Sequence, residues 1–136
     1  MLDRIIGAFG MLFFFLGFLF CGVMFMGMAG KWYAVQDHAQ FIASSEGKYG
    51  GYTAEANSTI SQFCQDFKLN RAEVAVQVSA PNSPVPWGTP VWAKITVPYE
   101  FDVGGFMPSF SVPITGVGRS VSSYLPGAYS VSYTSP

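Results

Sequence analysis

Side chains able to do acid–base, nucleophilic or metal chemistry are few in this chain, and their spacing works against them. There is one histidine, His38, and two cysteines, Cys21 and Cys64, far apart in sequence. A zinc or haem site needs such ligands clustered at short, fixed intervals, and no such spacing occurs. His38 falls on the polar side of a helical pattern and reads as solvated surface. Gly116-Val117-Gly118-Arg119-Ser120 looks like part of a phosphate loop, but it lacks the third glycine, the lysine and the strand–helix setting, so it reads as a flexible turn. No Gly-x-Ser-x-Gly elbow occurs. The carboxylates Asp37, Glu46, Glu55, Asp66, Glu73, Glu100 and Asp102 form no convincing pair. Catalytic, cofactor-binding and metal-binding residues are therefore none, and the expectation is a protein that is not an enzyme.

The informative feature lies elsewhere. From Ile5 to Gly30 no side chain is charged, and Phe9, Phe13, Phe14, Phe15, Phe18, Phe20 and Phe25 crowd into this one segment. As a helix it would be roughly 39 Å long, enough to cross a bilayer's hydrocarbon core with some tilt. The run exceeds a signal peptide's apolar region, Met1–Arg4 is hardly basic, and Met28-Ala29-Gly30 is a poor cleavage site, so a retained helix is expected. Arg4 and Lys31 flank it almost symmetrically. The long polar remainder favours the N-terminus inside and the C-terminus outside. Net charge is −1 and only 11 % of residues are charged, which indicates neither a nucleic-acid partner nor an acidic-lipid patch.

Outside the apolar run about a hundred residues remain, enough for one modest core. Cys21 inside the run and Cys64 outside it are poorly placed for a disulfide and read as small buried hydrophobes. Past Lys31 the helical pattern continues to about Glu46. Trp32, Val35, Ala39 and Ile42 recur as a narrow apolar stripe, with Gln36, Asp37, Gln40, Ser44 and Glu46 on the other faces. Trp32 and Tyr33 suit a membrane boundary. Gly47, Gly50 and Gly51 stop the helix. A second, amphipathic helix is predicted from about Thr53, its N-cap, to Leu69, with Ala56, Ile60, Phe63, Cys64 and Phe67 on one face.

From Glu73 the period changes to two. Val74, Val76 and Val78 form one half-buried strand, and Val91, Ala93, Ile95, Val97 and Tyr99 form another. Pro98 marks an exposed side of the latter, and Pro81–Pro90 is a loop. Ser109–Thr115 and Ala128–Thr134 are shorter candidates. The fold class is α+β: a long N-terminal apolar helix, a second amphipathic helix and a small antiparallel sheet of three or four strands. Residues 1–51 form the helix and 52–136 the exported head. Asn57-Ser58-Thr59 matches a glycosylation acceptor, but its helical setting disfavours use.

Within the apolar segment Gly7, Gly10, Gly17, Cys21, Gly22 and Ala29 fall within about a 140° arc at 100° per residue. Small residues on one face let helix backbones approach closely, and aromatic residues such as Phe14 and Phe18 fill the grooves. These residues, with Trp32, Val35, Ala39 and Ile42, are the candidate helix-packing and assembly positions.

The stretch Cys21–Thr53 resembles the tad-type pilus proteins, the TadE-like pseudopilins. In that family an apolar helix continues into a patch of small residues followed by Glu-Gly and a break. Here Ala43-Ser44-Ser45-Glu46-Gly47 stands in that place. Ile95-Thr96-Val97-Pro98-Tyr99-Glu100-Phe101 is similar to the family's strand ending in Tyr-x-Phe. The glutamate that type IV pilins carry near the mature N-terminus is not matched, since Ile5 stands at position 5 and Asp3 is the acidic residue nearby. The resemblance implies a pilin-like fold, passage through the inner or cytoplasmic membrane, and an assembly machinery as partner. The leading expectation is a structural subunit of an extracellular filament at the cell surface, a helical homo-oligomer polymerising through its apolar helix. The alternative is a single-pass anchored component of a secretion or conjugation apparatus that does not polymerise.

Overall fold

The computed structural model describes residues 1–102, 104–105 and 107–136. The first element is a helix of 48 residues, α1 (Leu2–Tyr49), followed by α2 (Ala54–Asp66). A single 3₁₀ turn, Arg71–Glu73, leads into β1 (Ala75–Val78), β2 (Pro90–Phe101) and β3 (Phe110–Val121). The strands form one antiparallel sheet in the order β1-β2-β3. The layout is α+β, as the sequence periods indicate.

The chain divides into two compact units, Met1–Lys31 and Trp32–Pro136, so the division falls inside α1 rather than at its end. The physical reason lies in burial. Val35, Ala39, Ile42 and Ala43 are wholly inaccessible and belong to the head's core, with Ile60 and Phe63 of α2 and Ala93, Ile95 and Val97 of β2. Burying each large aliphatic or aromatic side chain contributes about 1.5–3 kcal/mol. The last turns of α1 are therefore head structure.

Several local expectations are corrected. Gly116-Val117-Gly118-Arg119-Ser120 is not a turn but the middle of β3. Ala128–Thr134 adds no strand; a single bridge joins Thr53 to Tyr133, which fixes the sheet at three strands among the described residues. α1 runs three residues beyond Glu46, to Tyr49, and Gly50, at φ +81°, ends it. α2 ends at Asp66, short of Leu69, while Thr53 caps it as expected by accepting from the Ala56 amide at 3.2 Å. Pro98 lies opposite Pro113. Neither can donate, so both turn their nitrogens away from the β2–β3 ladder. For Pro98 this is the β1 side, and β1 pairs with β2 only up to Thr96.

The tightest contact in the head is that of α1 on β3. A Cβ at Gly116 would lie 2.7 Å from the Val35 carbonyl oxygen, and one at Gly118 would overlap the Ala39 carbonyl. Only glycine lets the helix backbone settle this closely on the strand. Gly118→Val should therefore destabilise the head by about 3 kcal/mol. Urea unfolding of the full chain in detergent, followed by tryptophan fluorescence, measures this; an unchanged midpoint would contradict the contact.

Candidate functional site

In the Met1–Lys31 unit every residue except Met24, Met28 and Lys31 is exposed, including the large side chains Phe9, Phe13, Phe14, Phe18 and Phe25. The most apolar 18-residue window of α1 has a mean hydropathy of 2.3, and none of it is buried within the chain. This helix is long and apolar enough to cross a membrane. On its surface Gly10, Phe13, Phe14, Gly17, Phe18 and Cys21 line a shallow groove of about 500 Å³. A Cβ at Gly7, Gly10, Gly17 or Gly22 would meet nothing within 4 Å. The small residues thus leave open backbone along one side, with Phe14 and Phe18 as adjoining ridges. Cys21 is exposed and free, not buried as its composition implied, because the chain itself supplies nothing to cover it.

The candidate positions beyond Lys31 have a different fate. Val35, Ala39 and Ile42 are consumed by the head's own core, and of this stripe only Trp32 is substantially exposed, at 42 %. The exposed apolar surface of α1 is therefore concentrated in its first 31 residues, with Trp32, Tyr33 and Phe41 following.

The polar residues of α1 do more than face water. Gln36 Nε2 donates to the Val117 carbonyl at 2.8 Å, and the Val117 amide donates back to Gln36 Oε1 at 3.1 Å. Gln40 repeats the exchange with Arg119, at 3.1 and 3.3 Å. β3 is an edge strand, and its outward backbone groups at Val117 and Arg119 would otherwise be unpaired. The match is geometric. Four residues of helix advance about 6 Å and two of strand about 6.8 Å, so glutamines at i and i+4 fall opposite alternate strand residues. Each glutamine amide stands in for a peptide of a missing fourth strand. Sequence reasoning placed both off the apolar stripe, and Gln40 is exposed; the i, i+4 repeat was visible, but its strand partner was not.

Two other side chains do leave the polar face assigned to them. His38 is half-buried, its ring 4.4 Å from Phe63 and its Nδ1 2.9 Å from the Ala34 carbonyl oxygen. Glu46 is wholly buried, and neither carboxyl oxygen has a hydrogen-bond partner. Burial pushes its pKa from 4.5 up to about 7, against smaller opposing pulls from the Ala80 backbone and the Ser79 side chain. Tyr52, also wholly buried, is pushed up to about 12, chiefly by burial, with Arg71 opposing and Glu46 adding.

No group of three potential metal ligands occurs among the described residues. Asn57 of the acceptor pattern lies in α2 with its Oδ1 accepting from the Tyr52 hydroxyl at 3.2 Å, so its side chain is already engaged. Removing both seam glutamines, as Gln36→Ala with Gln40→Ala, should cost about 1–3 kcal/mol, from four exchanged hydrogen bonds partly replaced by water. Hydrogen exchange should show protection lost first at the Val117 and Arg119 amides; unchanged protection there would contradict the seam. No family model matches the chain, and no curated protein or solved structure matches it.

Proposed function

We propose that this chain is a structural subunit of a helical surface filament, related to the TadE-like pilus proteins. In the filament the Met1–Lys31 helices bundle into an apolar core and the α+β heads coat the outside. The observation that carries the reading is the exposed apolar helix, with its glycine-lined groove, continuous with turns whose Val35, Ala39 and Ile42 are buried in a folded head. In water, apolar area removed by bundling contributes on the order of 25 cal/mol per Å². In lipid that drive vanishes, and close backbone approach along small residues becomes the means of association. A groove on one copy filled by a different face of the next is a head-to-tail contact that does not close, and it generates a helical polymer. Before assembly the same helix holds the subunit in the membrane, N-terminus inside and head outside, where the assembly machinery collects it.

A second reading is favoured by the hydropathy itself, which suits lipid as well as protein. In that reading the chain is a single-pass anchored apparatus component that never polymerises. A charge in the groove separates the two. Phe18→Asp should abolish sedimenting polymer, by a factor of ten or more, while the circular dichroism of the head is retained. Full-length polymers persisting in that variant would argue against a helix-bundled filament.

A further inference from the structure

The most anomalous group in the head is Glu46. It lies three residues before the end of α1, at a junction closed from several sides. The Gly47 carbonyl accepts from the Ser123 amide at 2.7 Å and from the Ser123 hydroxyl at 3.2 Å. The Tyr49 carbonyl accepts from the Tyr133 hydroxyl at 2.7 Å, and the Gly50 carbonyl from the Val85 amide at 2.9 Å. The Tyr52 amide donates to the Ala80 carbonyl at 2.9 Å. The bonds to Gly47 and Tyr49 satisfy carbonyls that a helix end leaves open, in the same stretch of chain as the wholly buried Glu46 carboxyl. An ionised carboxylate in such a place is strongly disfavoured, whereas a neutral acid is tolerated.

Of the groups around it, Ser79 and Ala80 favour the ionised form, and burial outweighs them. From the segment after β1 come Ser79 and Ala80, neither of which titrates. From the connection to α2 comes Tyr52, whose own proton is held tightly. Arg71, in the 3₁₀ turn, acts on Tyr52 and Cys64, and its Nη1 donates to the Val74 carbonyl at 3.0 Å. On α1 itself the next charge, Lys48, lies over the Tyr49 ring at 4.9 Å. Among the described residues no cation is bonded to Glu46.

We propose that Glu46 is a pH-operated latch in the head: protonated, it stays buried and holds the end of α1 against Tyr52 and the Ser79–Ala80 segment; ionised, it draws in water and loosens that junction. The direction follows from linkage. In the unfolded chain the carboxyl titrates near 4.5, and in the folded chain near 7. Between these values the folded state carries more protons, so stability falls as pH rises. The contribution is fully present below about 4.5 and lost above about 7. The latch acts within one head, whether or not the apolar helices assemble.

The test uses the full chain in detergent. The thermal midpoint of the head, read by near-ultraviolet circular dichroism, should fall by roughly 5 °C or more between pH 5 and pH 8. In Glu46→Gln, a neutral near-isostere, this slope should flatten. Hydrogen exchange at the Tyr52 and Ser123 amides, compared between the two proteins at each pH, should show the junction opening only in the wild type. Equal slopes in both proteins would overturn the latch. Should the variant fail to fold, isotope-edited infrared of the wild type at pH 6 decides. A persistent carboxylic-acid carbonyl band supports the latch, and only ionised carboxylates overturn it.

Discussion

A helix backbone seated directly on a strand is the contact on which the head depends. At Gly116 and Gly118 the strand offers no side chain, and at Ala39 the helix offers the smallest one. Dispersion and burial act at full strength only at such close range. The same proximity brings Gln36 and Gln40 within reach of the β3 edge, which they then occupy. A sheet of three strands with a four-residue β1 would otherwise present one long open edge at β3, a template for unwanted pairing. Packing, edge protection and the placement of α1 thus come from one seam.

That seam also explains how a single helix serves two environments. Beyond Lys31, α1 is amphipathic because one face of it is buried against the sheet and α2. From Ile5 to Gly30 the helix carries no charge on any side, and its own chain covers none of the most apolar window. A helix hydrophobic on every side belongs in a membrane or inside an assembly. The C-terminal segment completes the head by bonding carbonyls at the end of α1, in the same turn as the buried Glu46. A buried acid there gives up solvation for position, an arrangement sensitive to proton concentration.

Much of the fold was legible in the residues. The uncharged run from Ile5, the stripe Val35-Ala39-Ile42, the Thr53 cap and the alternation Val91-Ala93-Ile95-Val97 each follow a period or a cap with one structural meaning. The errors share a cause. Gln36, Gln40 and Glu46 are polar, and on an isolated helix polar residues belong in water; only the sheet's arrival makes two of them surrogate strand and buries the third. Gly116 and Gly118 read as a turn because glycine permits turns, and the demand for close approach is visible only once a helix lies above them. Tyr129, Val131 and Tyr133 alternate as a strand would, yet with no ladder available the segment forms one bridge. For the candidate assembly surface, the small-residue arc was legible because it depends on helical spacing alone. The engagement of Val35, Ala39 and Ile42 by the head was not, because it depends on tertiary contacts.

The central claim is that the apolar helices of separate copies cover one another. The most direct test is to shear the native cells, image the released material by electron microscopy and identify the pelleted fibres by mass spectrometry. Thin filaments composed mainly of this chain are the expected result. The chain confined to the membrane pellet, with no fibre containing it, would contradict the account and leave lipid as the helix's lasting partner.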